Sequence, residues 1–270
     1  MHPDDELVDP SWLAPRPCAA SPPHERATET PLVAPWEPLP ALPLEVKDAI
    51  FEQALRANDR YLEEFIESYA FCPFSREGRR AGQTARYCHY AETAEVEPLL
   101  ELMIRIAADP RQAVAQVILP FVEVDPAAWC RFCDDLTALG HRRMSGPDVL
   151  AFAALHPDLP FGLDTPYALV PLFRRAPDPT IQWVRLESLA DLYRGRESGD
   201  VFVAPEDVAA LLAGKPHRPA LYDRVAETNA SMARRLSVAR CVGMLASITA
   251  DARRSDQRIL LEAELEPESG

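Results

Sequence analysis

Val114-Ala115-Gln116-Val117-Ile118-Leu119-Pro120-Phe121-Val122-Glu123-Val124-Asp125-Pro126 is the stretch from which the fold is read. Apolar and β-branched residues dominate it, which predicts a central strand over 114–124 with a bend at Pro120, a residue that cannot donate to a ladder. Asp125 then offers a capping carboxylate and Pro126 a first-turn residue, so a helix is expected from there to about Leu139. Upstream, Ala85–Tyr90 reads as a short strand, and Glu95–Ala108 places Val96, Leu99, Leu100, Met103, Ile104 and Ala107 at helical spacing until Asp109-Pro110 stops it. Downstream, Asp148–Leu155 is a third apolar strand. The order strand–helix–strand–helix–strand predicts an α/β fold, a small central sheet covered by helices.

The rest of the chain is arranged around that unit. Eleven of the 27 prolines fall within residues 1–45, so this segment reads as a proline-rich extended arm with Trp12 and Trp36 as anchors. Residues 46–261 form a single α/β domain and 262–270 an acidic tail. Residues 46–71 open the domain as an amphipathic helix, with Phe51, Ala54, Leu55, Asn58, Tyr61, Leu62, Phe65, Ile66 and Tyr69 on one stripe. Pro166–Arg175 and Ile181–Leu192 are expected as a short helix or strand pair folded against the sheet. Ala204–Leu212 reads as a small helix, and Tyr222–Arg254 as a long one that offers a face for pairing with a second copy as a homodimer.

The formal charge of -14 over 270 residues comes mostly from the two ends. An acidic chain without a basic stripe is not expected to bind nucleic acid. Met1-His2-Pro3-Asp4-Asp5-Glu6 has no basic region followed by an apolar run, so no secretory signal is expected. No apolar stretch approaches the ~20 residues that span a bilayer. Six scattered cysteines suit a reducing cytoplasm, the expected compartment.

Phe71-Cys72-Pro73-Phe74 carries the chemistry. Pro73 disfavours helical geometry at Cys72 and ends the opening helix, while suiting the first turn of another. A cysteine at such a junction, with Arg76, Arg79 and Arg80 behind it, is placed where a thiolate is favoured over a thiol. The alternative is a small buried side chain at a kink. Cys130-Arg131-Phe132-Cys133 has redox spacing, with Trp129 ahead of it as in thioredoxin-like sites, but Trp129, Phe132, Cys133, Leu136 and Leu139 read more economically as the buried face of a helix. Cys130 and Cys133 lack the second close pair that a zinc knuckle needs. Cys88-His89 sits on a strand, where neighbours point to opposite faces, and His89 could line a pocket.

His156-Pro157-Asp158 follows the third strand directly, and open α/β sheets bind ligands at the carboxyl ends of their strands. Asp158 could orient the imidazole or meet a cation. Tyr167 and Arg174-Arg175 add a phenol and guanidinium groups to the same edge. Glycine-rich phosphate loops, a nucleophile elbow and paired-histidine zinc motifs are all missing from the sequence.

Tyr61-Leu62-Glu63-Glu64-Phe65-Ile66, Phe71-Cys72-Pro73-Phe74-Ser75, the strand around Arg86-Tyr87, His156-Pro157-Asp158 and Thr165-Pro166-Tyr167 together resemble a bacterial domain family of unknown function with Cys-Pro-Phe and His-Pro-Asp motifs. The resemblance covers residues 60–195 and departs at Thr165 and Ala168, where the family has serine and proline. The chain is also similar, more distantly, to haem-thiolate amine N-oxygenases of amino-acid-derived natural-product pathways. That likeness implies haem b as an iron cofactor with Cys72 as its metal ligand, dioxygen or peroxide as co-substrate, and N-oxygenation of an amine or amino acid. It implies Arg76, Arg79, Arg80, Arg86 and His89 on the cofactor, His156, Asp158 and Tyr167 at the reacting side, and an electron-donor protein as partner. Two other readings of the residues remain. One is a cofactor-free enzyme with Cys72 as nucleophile and His156 as base. The other is a non-enzymatic haem- or metal-binding module.

Overall fold

The computed structural model describes residues 32–72, 75–144, 149–186 and 221–265. Pro73, Phe74, Trp12 and the expected helix Ala204–Leu212 lie outside the described residues. Chain order is α1 (Leu44–Arg60), continued by a π-helical segment (Tyr61–Glu67), then α2 (Ser75–Arg80), β1 (Thr84–Cys88), α3 (Glu97–Ala108), β2 (Val114–Ile118), α4 (Pro126–Met144) and β3 (Leu150–Leu155). α5 (Pro166–Leu169) follows, with a 3-10 turn (Val170–Arg174), β4 (Thr180–Arg185), α6 (Leu221–Leu236) and α7 (Val238–Leu265).

The fold is α/β with a four-stranded mixed sheet in the order β1-β2-β4-β3. β1 and β2 are parallel, and β4 runs antiparallel between β2 and β3. The expected three-strand unit is present. The segment after Ile181 supplies a fourth strand that fills the gap between the second and third. The central strand ends at Ile118, short of the apolar run: Leu119 N–H still donates to Pro179 O at 2.9 Å, and the chain then turns at Pro120 and Phe121. α4 begins as expected: Asp125 Oδ1 accepts from the N–H groups of Ala127 and Ala128 at 3.0 and 2.9 Å. It runs on to Met144, past Leu139.

Alternation along the strands divides the core in two. Ala115, Val117, Ile181, Trp183 and Ala154 face α3 and α4, where Trp129, Phe132, Leu136, Leu99 and Met103 close a core that also takes in Trp36 from the proline-rich segment. Cys130 and Cys133 belong to this buried face of α4. The opposite sheet face is covered by α1 and the C-terminal helices, and Tyr61, Leu62, Phe65, Phe71, Leu172, Phe173, Leu245 and Ile248 form a second cluster there.

The long C-terminal segment is two helices, because Ser237 takes a φ of 74° and breaks it. α7 packs along α1 and is pinned by Arg60 to Asp251 at 2.9 Å. The opening helix changes character at Tyr61, where the wider π-helical turns bury Tyr61, Leu62, Phe65 and Ile66 together. Among the described residues, no helix is long and apolar enough to cross a membrane.

Candidate functional site

The π-helical segment ends in a wide turn. Phe71 N–H donates to Ile66 O at 2.9 Å, and Ala70 adopts a φ of 54°, in the left-handed region that costs a non-glycine residue about 1 kcal/mol. Cys72 leaves this turn half-buried against the second cluster, which includes Tyr69, Met232, Leu236 and Met244. Phe71 beside it is buried and tilts against Phe173 with ring centroids 4.5 Å apart. From α6, the buried amide of Asn229 donates to Phe71 O at 2.7 Å, holding the peptide that leads into Cys72.

Tyr61 connects the cysteine to the sheet. Its hydroxyl donates to Phe173 O at 2.6 Å. Burial pushes the phenol well above its usual range, the charge of a Cys72 thiolate pushes it further, and the Arg174 guanidinium opposes both. Cys72 and Arg174 are therefore each electrostatic neighbours of Tyr61. Arg174 O accepts the His156 N–H at 3.0 Å, which ties the end of β3 to the same region.

The arginines behind the motif are turned elsewhere. Arg79 meets the carboxylates of Asp59, Glu63 and Glu67 at 3.3, 2.6 and 3.3 Å. Arg86 pairs with Asp59 at 2.6 Å, and Arg76 donates to Glu67 O at 2.6 Å. Arg80 is exposed. These groups stitch α2 and β1 to the opening helix. Arg174 instead acts on Tyr61, the phenol that Cys72 also influences.

His156 is buried with both ring nitrogens engaged. Nδ1 accepts from Asp158 N–H at 3.1 Å, so Nε2 carries the proton and donates to Val124 O at 3.0 Å. Burial lowers its pKa, against the opposing pull of the Val124 carbonyl and of Asp158 and Asp125. Such an imidazole locks the β3 loop to the end of the 114–124 run and has no nitrogen left for a substrate. Asp158 is exposed and lies 3.8 Å from Arg253. Tyr167 is 41% exposed on α5, whose start is capped by Thr165 Oγ1 accepting from Ala168 N–H at 3.0 Å. His89 follows β1, its Nε2 buried without a hydrogen-bond partner among the described residues, and burial lowers its pKa.

A second titratable group lies at the carboxyl ends of β1, β2 and β3. Burial, then the neighbouring Asp256 charge, push the Asp178 carboxyl up to about 7, with Arg253 opposing. Burial raises Asp256 to about 6. The Cys88 thiol is pushed up to about 12 by burial and by Asp178, so it stays protonated at neutral pH.

Sequence reasoning passed over Tyr61, Asn229, Asp178 and Asp256 as site residues. Asp178 had a signal in Pro177-Asp178-Pro179, a carboxylate between two rigid residues just ahead of a strand. Asn229 had none, since an amide on the polar side of a long helix looks solvated.

Among the described residues, no group of three or more His, Cys, Asp and Glu side chains could hold a bare metal ion. Cys72 has a different character: one sulfur packed against an aromatic and aliphatic cluster. Were a haem held here, that sulfur would be the residue to ligate it and the cluster would shield it. No family model, curated protein or solved structure matches the chain.

Proposed function

We propose that this protein is a haem-thiolate oxidoreductase that acts in the cytoplasm and N-oxygenates an amine or amino acid, with Cys72 as the axial ligand. The observation that carries the proposal is the Cys72 turn, a half-buried sulfur walled by aromatic rings at the end of a π-helical segment. Short π-helical segments concentrate at functional sites, because their strain needs support elsewhere. Here that support is Asn229 on Phe71 O and Ser68 Oγ on Glu63 O at 2.6 Å.

A thiolate-held haem would supply activation of dioxygen or peroxide, with electron density lent by the sulfur. The residues around Cys72 would hold and shield it. Arg174 offsets negative charge at the neighbouring Tyr61 phenol. The Tyr61 phenol keeps its proton on Phe173 O and presents no competing base. The aromatic side chains of the second cluster leave Cys72 only partly exposed. In the overall reaction an amine N–H becomes N–OH, and the second oxygen atom of dioxygen leaves as water with two protons and two electrons from a donor protein. With peroxide as oxygen source, no external electrons are needed.

The nucleophile reading is weaker because both His156 nitrogens are committed to backbone groups. Titration of the purified protein with haem b tests the proposal. Wild type is expected to bind one equivalent, and Cys72→Ser to bind at least about tenfold more weakly, a difference of 1.4 kcal/mol. Equal haem binding by the two proteins overturns the ligand assignment. Haem binding without amine turnover identifies a binding module instead.

A further inference from the structure

Residues 34–39 cross the α3–α4 side of the core without joining a helix or strand, bending at Pro35 and Trp36. Trp36 is their anchor. It is 5% exposed, meets Phe132 edge-on with ring centroids 5.0 Å apart, and tilts against Trp129 at 6.2 Å. Its Nε1–H donates to Thr93 O at 3.4 Å. Ala34 is buried in the same cluster, and Leu39 N–H donates to Ala91 O at 2.8 Å. Pro35 and Pro38 flank the tryptophan. Proline-rich segments that seat in an aromatic-lined groove are a common way for one chain to bind another. Here the groove and the segment that fits it belong to the same sequence.

The link from this strap to the rest of the molecule is short and stiff. Its first end is fixed by the bond from Leu39 to Ala91. Its other end is the first turn of α1, where Lys47 pairs with Glu92 and stands over the Tyr90 ring, 5.4 Å from the centroid. Both ends are therefore held to one loop, residues 90–92, and residues 40–43 must make the return. Two of those four are proline, Pro40 and Pro43. Each fixes its own φ and biases the residue before it toward extended geometry, which opposes a reversal. Short, constrained hinges of this kind favour exchange of a terminal segment between copies. Fully extended, the four residues reach about 12 Å, which carries the strap away from its own groove.

Apolar surface is bared at both ends of the same stretch. Val33, just ahead of the strap, is 69% exposed, and Leu44, directly after Pro43, is 70% exposed. Two hinges opened side by side cover such surface, whereas a single closed chain leaves it in water.

We infer that the strap docks in the groove of a second copy, each chain lending residues 34–39 to the other in a strap-exchanged dimer. The strap makes the same contacts in either arrangement, so exchange forfeits none of them, and the hinge decides between the two. The partner is a second copy because the chain itself carries the sequence that fits the groove. The groove lies on the sheet face opposite the Cys72 cluster, so the inference is independent of the haem reading.

Light scattering of the full-length protein with hinges of different length tests it. Wild type is expected to have the mass of two chains at about 100 μM. Inserting about six Gly and Ser residues between Ala41 and Leu42 frees the return path, keeps every contact, and is expected to weaken the dimer at least about tenfold after equilibration. Deleting Ala41 and Leu42 bars the return, and that variant is expected to remain a dimer at the lowest concentration measured. Trp36→Ala is expected to lose the dimer with its anchor, and if it fails to fold the insertion variant decides. A wild type that is monomeric at about 100 μM overturns the inference whatever the variants do. A dimer equally tight at every hinge length, or one that keeps its affinity in Trp36→Ala, is held by another surface and also overturns it.

Discussion

Asn229 reaches across 158 positions of sequence to hold the peptide before Cys72, through a buried hydrogen bond of 2.7 Å. Its amide satisfies a carbonyl that would otherwise face an apolar cluster, so the bond acts on the turn and on stability together. Asn229→Ala is expected to lose about 1–3 kcal/mol in chemical denaturation, the cost of a buried acceptor left unpaired. It is also expected to raise the midpoint of the pH profile for Cys72 alkylation, since an unpaired carbonyl oxygen beside the sulfur opposes a thiolate. A variant that is destabilised but keeps the wild-type midpoint would limit Asn229 to a structural role. The same scale shows why two buried amides escaped the sequence. Asn58 lies on the apolar stripe of the opening helix, and Gln116 on the central strand. Both polar interruptions are visible in the sequence, but their burial depends on what the fold packs over them.

At the scale of elements, β4 ties the layers together. Its last residue, Arg185, is buried and sends Nη2 to the carbonyls of Ile106, Ala107 and Asp109 at 2.9, 3.0 and 2.8 Å. The guanidinium adds to the backbone bonds that Ile106 O and Asp109 O already accept from the Asp109 and Gln112 N–H groups, and it also meets the negative end of the helix dipole. Arg185→Met is expected to cost about 3 kcal/mol or more, measured by urea denaturation, because three buried or partly buried carbonyls lose a charged donor at once. A loss under about 0.5 kcal/mol would mean that water replaces the guanidinium.

The strand–helix–strand unit was legible because Val114–Ile118 and Leu150–Leu155 are apolar and Asp125-Pro126 announces a helix. The place of β4 was not legible. Thr180–Arg185 alternates like any half-buried strand, and its insertion between β2 and β3 is fixed by pairings distant in sequence. The break at Ser237 was hidden for a similar reason, since serine gives no helix-stop signal as strong as glycine or proline.

At the scale of the whole molecule, α7 runs along α1 and reaches the carboxyl edge of the sheet through Arg253 and Asp158. The Asp178–Asp256 pair at that edge gives the fold a pH dependence of known sign. The folded-state values, about 7 and about 6, lie above those of the unfolded chain. The folded protein therefore keeps protons that the unfolded chain loses between about pH 4 and pH 7, and stability falls as pH rises through that window. His156 works in the other direction, because its lowered pKa favours the folded state as pH rises toward about 6.5. Asp178→Asn keeps the shape and removes the first effect. Its Tm relative to wild type is expected to be higher at about pH 8 than at about pH 5, and a constant difference would place the Asp178 carboxyl in solvent.

The central claim is that Cys72 is a metal-held thiolate, and the absorption spectrum of haem-supplemented protein after reduction under carbon monoxide tests it most directly. A Soret band near about 450 nm, lost in Cys72→Ser, is the predicted result. A band near about 420 nm, or one unchanged by the substitution, would contradict it.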